Sequence, residues 1–217
     1  MRKAHPKTPF HVLVDLQSPQ WSRYSGVRFP WEHTGDEEAE GHVRGVLRAI
    51  GEDPAREGLR ETPRRYLRFL REFCRYESFR ATTFSGEGYD EMIVVSNIPF
   101  FSLCEHHMVP FFGTAAVGYI PGSKIVGLSK LARAVELYSR RLQNQERITT
   151  QVADHLESAV RPRGVGVVLR ARHLCMEMRG VRKHDTWTTT SIMRGLFEES
   201  KETRSEFLTF LRSPTHG

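Results

Sequence analysis

The chain has 217 residues, 39% hydrophobic and 27% charged, enough for one substantial globular domain with appended structure. No apolar run is long enough to cross a bilayer, and three widely spaced cysteines argue against a disulfide framework and for a reducing compartment, the cytoplasm. A net charge of +6 suits a phosphate-bearing partner, either nucleic acid or a phosphorylated small molecule.

Residues 1–35 carry Pro6, Pro9, Pro19 and Pro30 with no sustained period, and are expected to form a loosely structured arm. The start is basic but lacks the apolar core and cleavage site of a signal peptide. From residue 36 a helical period begins: Val43, Val46, Leu47 and Ile50 recur at helical spacing, with Asp36, Glu37 and Glu38 ahead of them and Gly51 behind. Thr62-Pro63 opens a second helix, with Tyr66, Phe69, Leu70 and Phe73 on one face. Cys74 is expected to be a small buried hydrophobe. This helical part spans about 36–80.

The remainder, about 90–217, alternates strands and helices. Residues 92–95 and 98–103 are strand-like, interrupted near Asn97, and residues 113–120 form another strand before Pro121-Gly122. Residues 125–127 are short and extended. Leu131, Val135, Tyr138 and Leu142 mark one helix, and Ile148, Val152, Leu156 and Ala159 a second, stopped at Pro162-Arg163-Gly164. Valine-rich residues 165–172 and β-favouring residues 186–192 are expected to pair. A last helix shows Phe207, Phe210 and Leu211. The fold class is therefore α+β, an antiparallel sheet with helices on one face.

Two stretches concentrate the chemistry. Cys104, His106 and His107 fall within four positions, and His173, Cys175 and Arg179 lie near one another downstream. Zinc takes thiolate sulfur and imidazole nitrogen, and a catalytic site leaves one of four places for water. Cys104 and His107 suit two ligands from one turn; Cys175, 68 positions after His107 (175 − 107), would come from elsewhere in the fold. If residues 165–179 are broadly extended, His173, Cys175, Glu177 and Arg179 share a face. The plain alternative is that the histidines are polar strand-end residues and Cys175 a core residue beside Met176 and Met178. From the residues alone, the reading is a hydrolytic zinc enzyme acting on a phosphorylated substrate. A basic nucleic-acid binder with structural zinc competes with it, although no aromatic-basic motif is present.

A resemblance adds more than the spacing. Cys104-Glu105-His106-His107, Ile125-Val126-Gly127-Leu128-Ser129-Lys130-Leu131-Ala132-Arg133, Gln143-Asn144-Gln145-Glu146-Arg147, His173-Leu174-Cys175-Met176-Glu177-Met178-Arg179-Gly180 and Thr188-Thr189-Thr190-Ser191 resemble the phrases of GTP cyclohydrolase I, of the zinc-dependent type. The resemblance runs from about residue 36 to the C-terminus. It implies the tunnelling fold (T-fold), in which sheets from several subunits join into a barrel. It also implies a homodecamer of two pentamers with sites where subunits meet, and no nucleic-acid or membrane partner.

The reaction implied opens the guanine imidazole ring of GTP at C8, releases formate and closes to 7,8-dihydroneopterin triphosphate. The implied zinc ligands are Cys104, His107 and Cys175, with His106 and His173 as acid/base groups. Glu146 would read the guanine, with Gln145 near the ribose. Ser129, Lys130, Arg133, Arg179 and Arg65 would hold the triphosphate. A nitrile reductase of the same fold is the alternative enzyme; it would need a cysteine nucleophile and a nicotinamide cofactor.

Overall fold

The computed structural model describes residues 30–75 and 78–212, so most of the arm expected over residues 1–35 lies outside the described residues. The chain divides into two compact units after Leu70. In the first, helix α1 (Pro30–Ala49) begins six residues before the expected Asp36. Gly51, at φ +89°, donates its N–H to Arg48 O at 3.0 Å, a left-handed closure that suits glycine. Val46 and Ile50 stay exposed, so the expected apolar stripe of α1 is not fully buried. A short 3-10 turn (Glu57–Leu59) leads to α2 (Thr62–Phe73), whose second residue, Pro63, is buried. Cys74, just beyond it, is half-buried.

The second unit is built on a five-stranded sheet. Its strands are β2 (Ile93–Cys104), β3 (Pro110–Ile120), β5 (Leu142–Gln143), β6 (Gly164–His173) and β7 (Trp187–Gly195), in the order β5-β2-β3-β6-β7. All neighbours are antiparallel except the two-residue β2–β5 pairing, which is parallel. A separate ribbon pairs β1 (Thr83–Ser85) with β4 (Lys124–Val126). The expected interruption of β2 is a bulge: the register slips between Val95 and Ile98, where Asn97 has φ +54°. The extra residue keeps both Val95 and Ile98 against the same core.

Helices α3 (Leu128–Ser139) and α4 (Gln145–Val160) cover one sheet face. Alternate residues of β3 and β6, including Val117, Tyr119, Val165, Val167 and Leu169, are buried there with Leu131, Val135, Ile148, Val152 and Leu156. That is the period-two and period-3.6 packing expected from the sequence. The one-face expectation needs correcting. After a short turn α6 (Leu196–Glu199), helix α7 (Lys201–Arg212) sends Phe207 onto the opposite face. A Cβ on Gly118 would lie 2.7 Å from the Phe207 ring, and one on Gly166 2.7 Å from Phe197, so glycine permits this close seating. Phe210, expected on the same apolar side, is exposed. Leu142 is likewise not on α3: the helix ends at Ser139, and Leu142 is an exposed residue of β5. Among the described residues no helix is long and apolar enough to cross a membrane.

Candidate active site

The hairpin between β2 and β3 builds the first half of the site. Cys104 N–H donates to Val109 O at 2.9 Å, and Met108 N–H returns to Cys104 O at 2.7 Å, with Met108 at φ +54°. This tight turn brings both imidazoles to the buried thiol. His107 Nδ1 lies 3.7 Å and His106 Nδ1 3.6 Å from Cys104 Sγ.

The second half departs from the extended reading. Strand β6 ends at His173, and Leu174–Glu177 makes one helical turn, α5. Residues 173, 175, 177 and 179 therefore do not share a strand face. Two contacts explain the bend. Lys183 N–H bonds Met176 O at 3.1 Å, folding the chain back. Glu177, 5% exposed, accepts from Arg172 Nε at 2.8 Å and from a second Arg172 nitrogen at 2.5 Å. The turn carries Cys175 to the hairpin, where one ligand atom from each of Cys104, His107 and Cys175 lies within 4.8 Å of the others. That set of donors, sulfur, sulfur and imidazole, can hold a metal ion. His106 touches Cys104 but does not belong to this mutual group. Burial, then the neighbouring Cys104, push the Cys175 thiol up, the direction a bound cation reverses.

His173 stands beside the metal group at the end of β6. Its ring stacks on Phe111, centroids 4.6 Å apart and 5° from parallel, and its Nε2 lies 2.8 Å from Gln145 Oε1. The Gln145 amide nitrogen donates to Leu169 O and Thr188 O, each at 3.1 Å. Carbonyls only accept, so the amide orientation is fixed and Oε1 must be the acceptor for His173. In neutral His173, Nε2 then carries the proton and Nδ1 offers a lone pair. Burial lowers the pKa of this histidine, and the negative charge of Glu146 partly offsets that. Glu146 itself is exposed in the first turn of α4. Gln145, expected beside a ribose, is 1% exposed and has both amide atoms engaged by protein.

Three residues that sequence reasoning missed tie these parts together. Glu105, inside the hairpin turn, takes Arg147 nitrogens at 2.6 and 3.1 Å on its two carboxylate oxygens, and Asn144 Nδ2 at 3.0 Å. Asn144 also caps α4, its Oδ1 accepting from Arg147 N at 2.8 Å. All three lie within the quoted phrases. Nothing in their spacing shows that positions 105 and 147 meet.

The expected phosphate ligands divide. Arg179 reaches His107 Nε2 at 3.1 Å, at the metal group. Ser129 and Lys130 lie at the other end of α3, following β4, and Arg133 near its middle. Tyr119 OH accepts from Val126 N at 3.0 Å, which fixes that end beside the finish of β3. The far end of α3 reaches the hairpin, where Leu103 N–H bonds Arg141 O. Lys130 is therefore about 15 Å of helix away from that end. Its ammonium lies 5.7 Å from the Phe79 ring centroid. Arg133 lines a cavity of about 620 Å³ with Arg75, Phe79, Glu136 and Arg140. Arg65 is exposed on α2, in the first compact unit.

The family model described as GTP cyclohydrolase I matches residues 39–212. A GTP cyclohydrolase 1 of Synechococcus sp. (strain JA-2-3B'a(2-13)) is 52% identical over 179 residues, 80% of this chain and 78% of that protein. One from Deinococcus radiodurans is 51% identical over 180 residues, 81% and 83% of the two chains. One from Sulfurihydrogenibium sp. is 51% identical over 172 residues, 79% and 92%. Among solved structures, an archaeosine synthase QueF-Like in the apo form aligns with a TM-score of 0.39 at 16% identity, covering 48% of this chain and 93% of that one, a likeness too slight to bear on function.

Proposed function

The chain belongs to the GTP cyclohydrolase I family, and from that premise we propose how its own residues carry out the reaction: GTP and one water give formate and 7,8-dihydroneopterin triphosphate. The observation that carries the proposal is the convergence of Cys104, His107 and Cys175 within 4.8 Å, from two places far apart in the chain. Two thiols and an imidazole suit zinc, and three protein donors leave one place for water. When bound, zinc supplies Lewis acidity that brings the pKa of a coordinated water toward neutrality.

The remaining work falls to side chains. His106, beside Cys104 yet outside the ligand group, donates a proton to the purine ring. His173 is held neutral by burial and oriented by Gln145, so its Nδ1 accepts a proton from a group close to the metal. Gln145 thus acts on the substrate through His173. Glu146 accepts from guanine N1–H and the 2-amino group together, a pair that adenine lacks. Arg179 holds phosphate near the metal group.

Ser129 and Lys130 stand in the first turn of α3 and Arg133 near its middle, away from the end that meets the hairpin. We assign all three to the site of a neighbouring subunit, which fits a homodecamer of two pentamers closing the open edges at β5 and β7 into a barrel. Arg65 is assigned a phosphate as well. Reduced thiols at the metal group suit the cytoplasm.

The test is to incubate the purified protein with GTP and analyse the products by mass. Formate and the pterin triphosphate are expected, and their loss in Cys175→Ala together with bound zinc. A Cys175→Ala variant that keeps metal and full turnover would overturn the ligand set.

A further inference from the structure

We infer that Glu105 and Arg147 are positioning residues that fix the metal-bearing turn in register with the residue that reads the purine. The inference rests on the reading of Cys104, His107 and Cys175 as metal ligands and of Glu146 as the guanine acceptor.

Glu105 sits between a ligand, Cys104, and the histidine pair. Arg147 sits one residue after Glu146, in the first turn of α4. The two side chains meet through a bidentate pair, with nitrogen–oxygen distances of 2.6 and 3.1 Å. A planar guanidinium facing both oxygens of a carboxylate fixes orientation as well as distance. The backbone adds a second point: Glu105 N–H donates to Gln143 O at 3.0 Å, where β5 runs beside the end of β2. Arg147 also reaches Gln143 Oε1 at 3.1 Å. The turn bearing Cys104 and His107 and the turn bearing Gln145 and Glu146 are therefore clamped face to face by side chains that neither bind metal nor read the base.

The pair is half-exposed, 45% for Arg147 and 30% for Glu105, and pairs of that kind add little to global stability. Its geometry matters where stability does not. The guanine C8 and the 2-amino edge lie on opposite sides of the purine, so the ring spans the distance between water and Glu146. If the two turns drift apart, the edge can still bind while C8 misses the water. Misplacement of this sort lowers turnover more than binding.

The test compares Arg147→Ala, Arg147→Lys and Glu146→Ala in the full zinc-loaded protein. Arg147→Ala should lose about tenfold to hundredfold in kcat, with KM for GTP changed by less than about threefold. Zinc content should stay at the level of the parent, and the melting temperature within about 3 °C. Arg147→Lys keeps the charge but not the fork, and should recover only part of the lost kcat. Full recovery by lysine would show that charge alone matters and would overturn the clamp. Loss of zinc or a large fall in melting temperature in Arg147→Ala would assign the pair a purely structural role and overturn it too. Glu146→Ala separates this inference from its premise. If Glu146→Ala abolishes preference for GTP over ATP while Arg147→Ala keeps full kcat, the clamp fails and the base-reading role stands. If Glu146→Ala leaves that preference intact, the premise fails.

Discussion

Glu177 takes both hydrogen bonds of its carboxylate from Arg172, five residues back across the end of β6, and so closes the turn that holds Cys175. The Arg172 hydrogen bonds hold the carboxyl below the usual range. Asp185 adds a second carboxylate 3.3 Å from the same guanidinium. The pair is a bracket on the backbone around one proposed metal ligand, and side chains that orient ligands commonly matter for affinity.

Glu177→Gln should therefore weaken zinc binding about tenfold without changing the donor set. Competition with a coloured chelator reads this directly. Arg172→Met should behave alike, because either change opens the bracket. Unchanged zinc affinity in both would mean that the turn holds its shape without them.

Gln145→Leu removes a residue whose amide bonds groups on two strands at once, β6 and β7. Leu169 O and Thr188 O lose a donor inside the protein, and His173 loses its partner. A buried polar group left without a partner costs about 1–3 kcal/mol, so denaturant unfolding should show a loss of at least that order. Turnover should fall further than stability explains, since the His173 tautomer is no longer imposed. Gln145→Glu tests the orientation argument: its carboxylate still accepts from His173 but cannot donate to the two carbonyls.

His155 supplies a pH dependence away from the site. It lies on α4 between Tyr138, whose hydroxyl is 3.2 Å from Nδ1, and the Phe79 ring, centroids 5.1 Å apart. Its Nε2 is buried with no hydrogen-bond partner among the described residues. Burial lowers its pKa. As pH falls through the ordinary histidine range, near 6.5, the unfolded chain takes up a proton that the folded chain refuses, so stability declines until the lowered value is reached. Above that range both states are neutral and the effect vanishes. Denaturant midpoints between about pH 7.5 and 5.5 should fall less in His155→Asn than in the parent. Equal falls would assign the acid sensitivity to other groups.

Most of the fold was legible because burial follows period. Val165, Val167 and Leu169 alternate into one core, and Ile148, Val152 and Leu156 return every fourth residue to the same core. The bend after His173 was not legible. Met176 and Met178 suit a strand face or a helical turn equally, and the decision is made by tertiary partners, Arg172 for Glu177 and Lys183 for Met176. The grouping of Cys104, His107 and Cys175 was legible from residue type and the family resemblance together, since the spacing alone left strand-end histidines and a core cysteine as the plain alternative. Its supports were not, because an ion pair between two turns, such as Glu105 with Arg147, leaves no periodic trace. Gln145 shows the converse limit: a residue inside a recognisable phrase turned out to face the core.

On the proposed assembly, Lys130 and Cys175 each complete a pocket only with a counterpart from next door. Damage at the two residues should then be separable between polypeptides. Preparations of Lys130→Ala and Cys175→Ala, each inert by itself, would regain some turnover when dissociated and reassembled as a mixture. With random partnering, roughly a quarter of the pockets would inherit both intact halves.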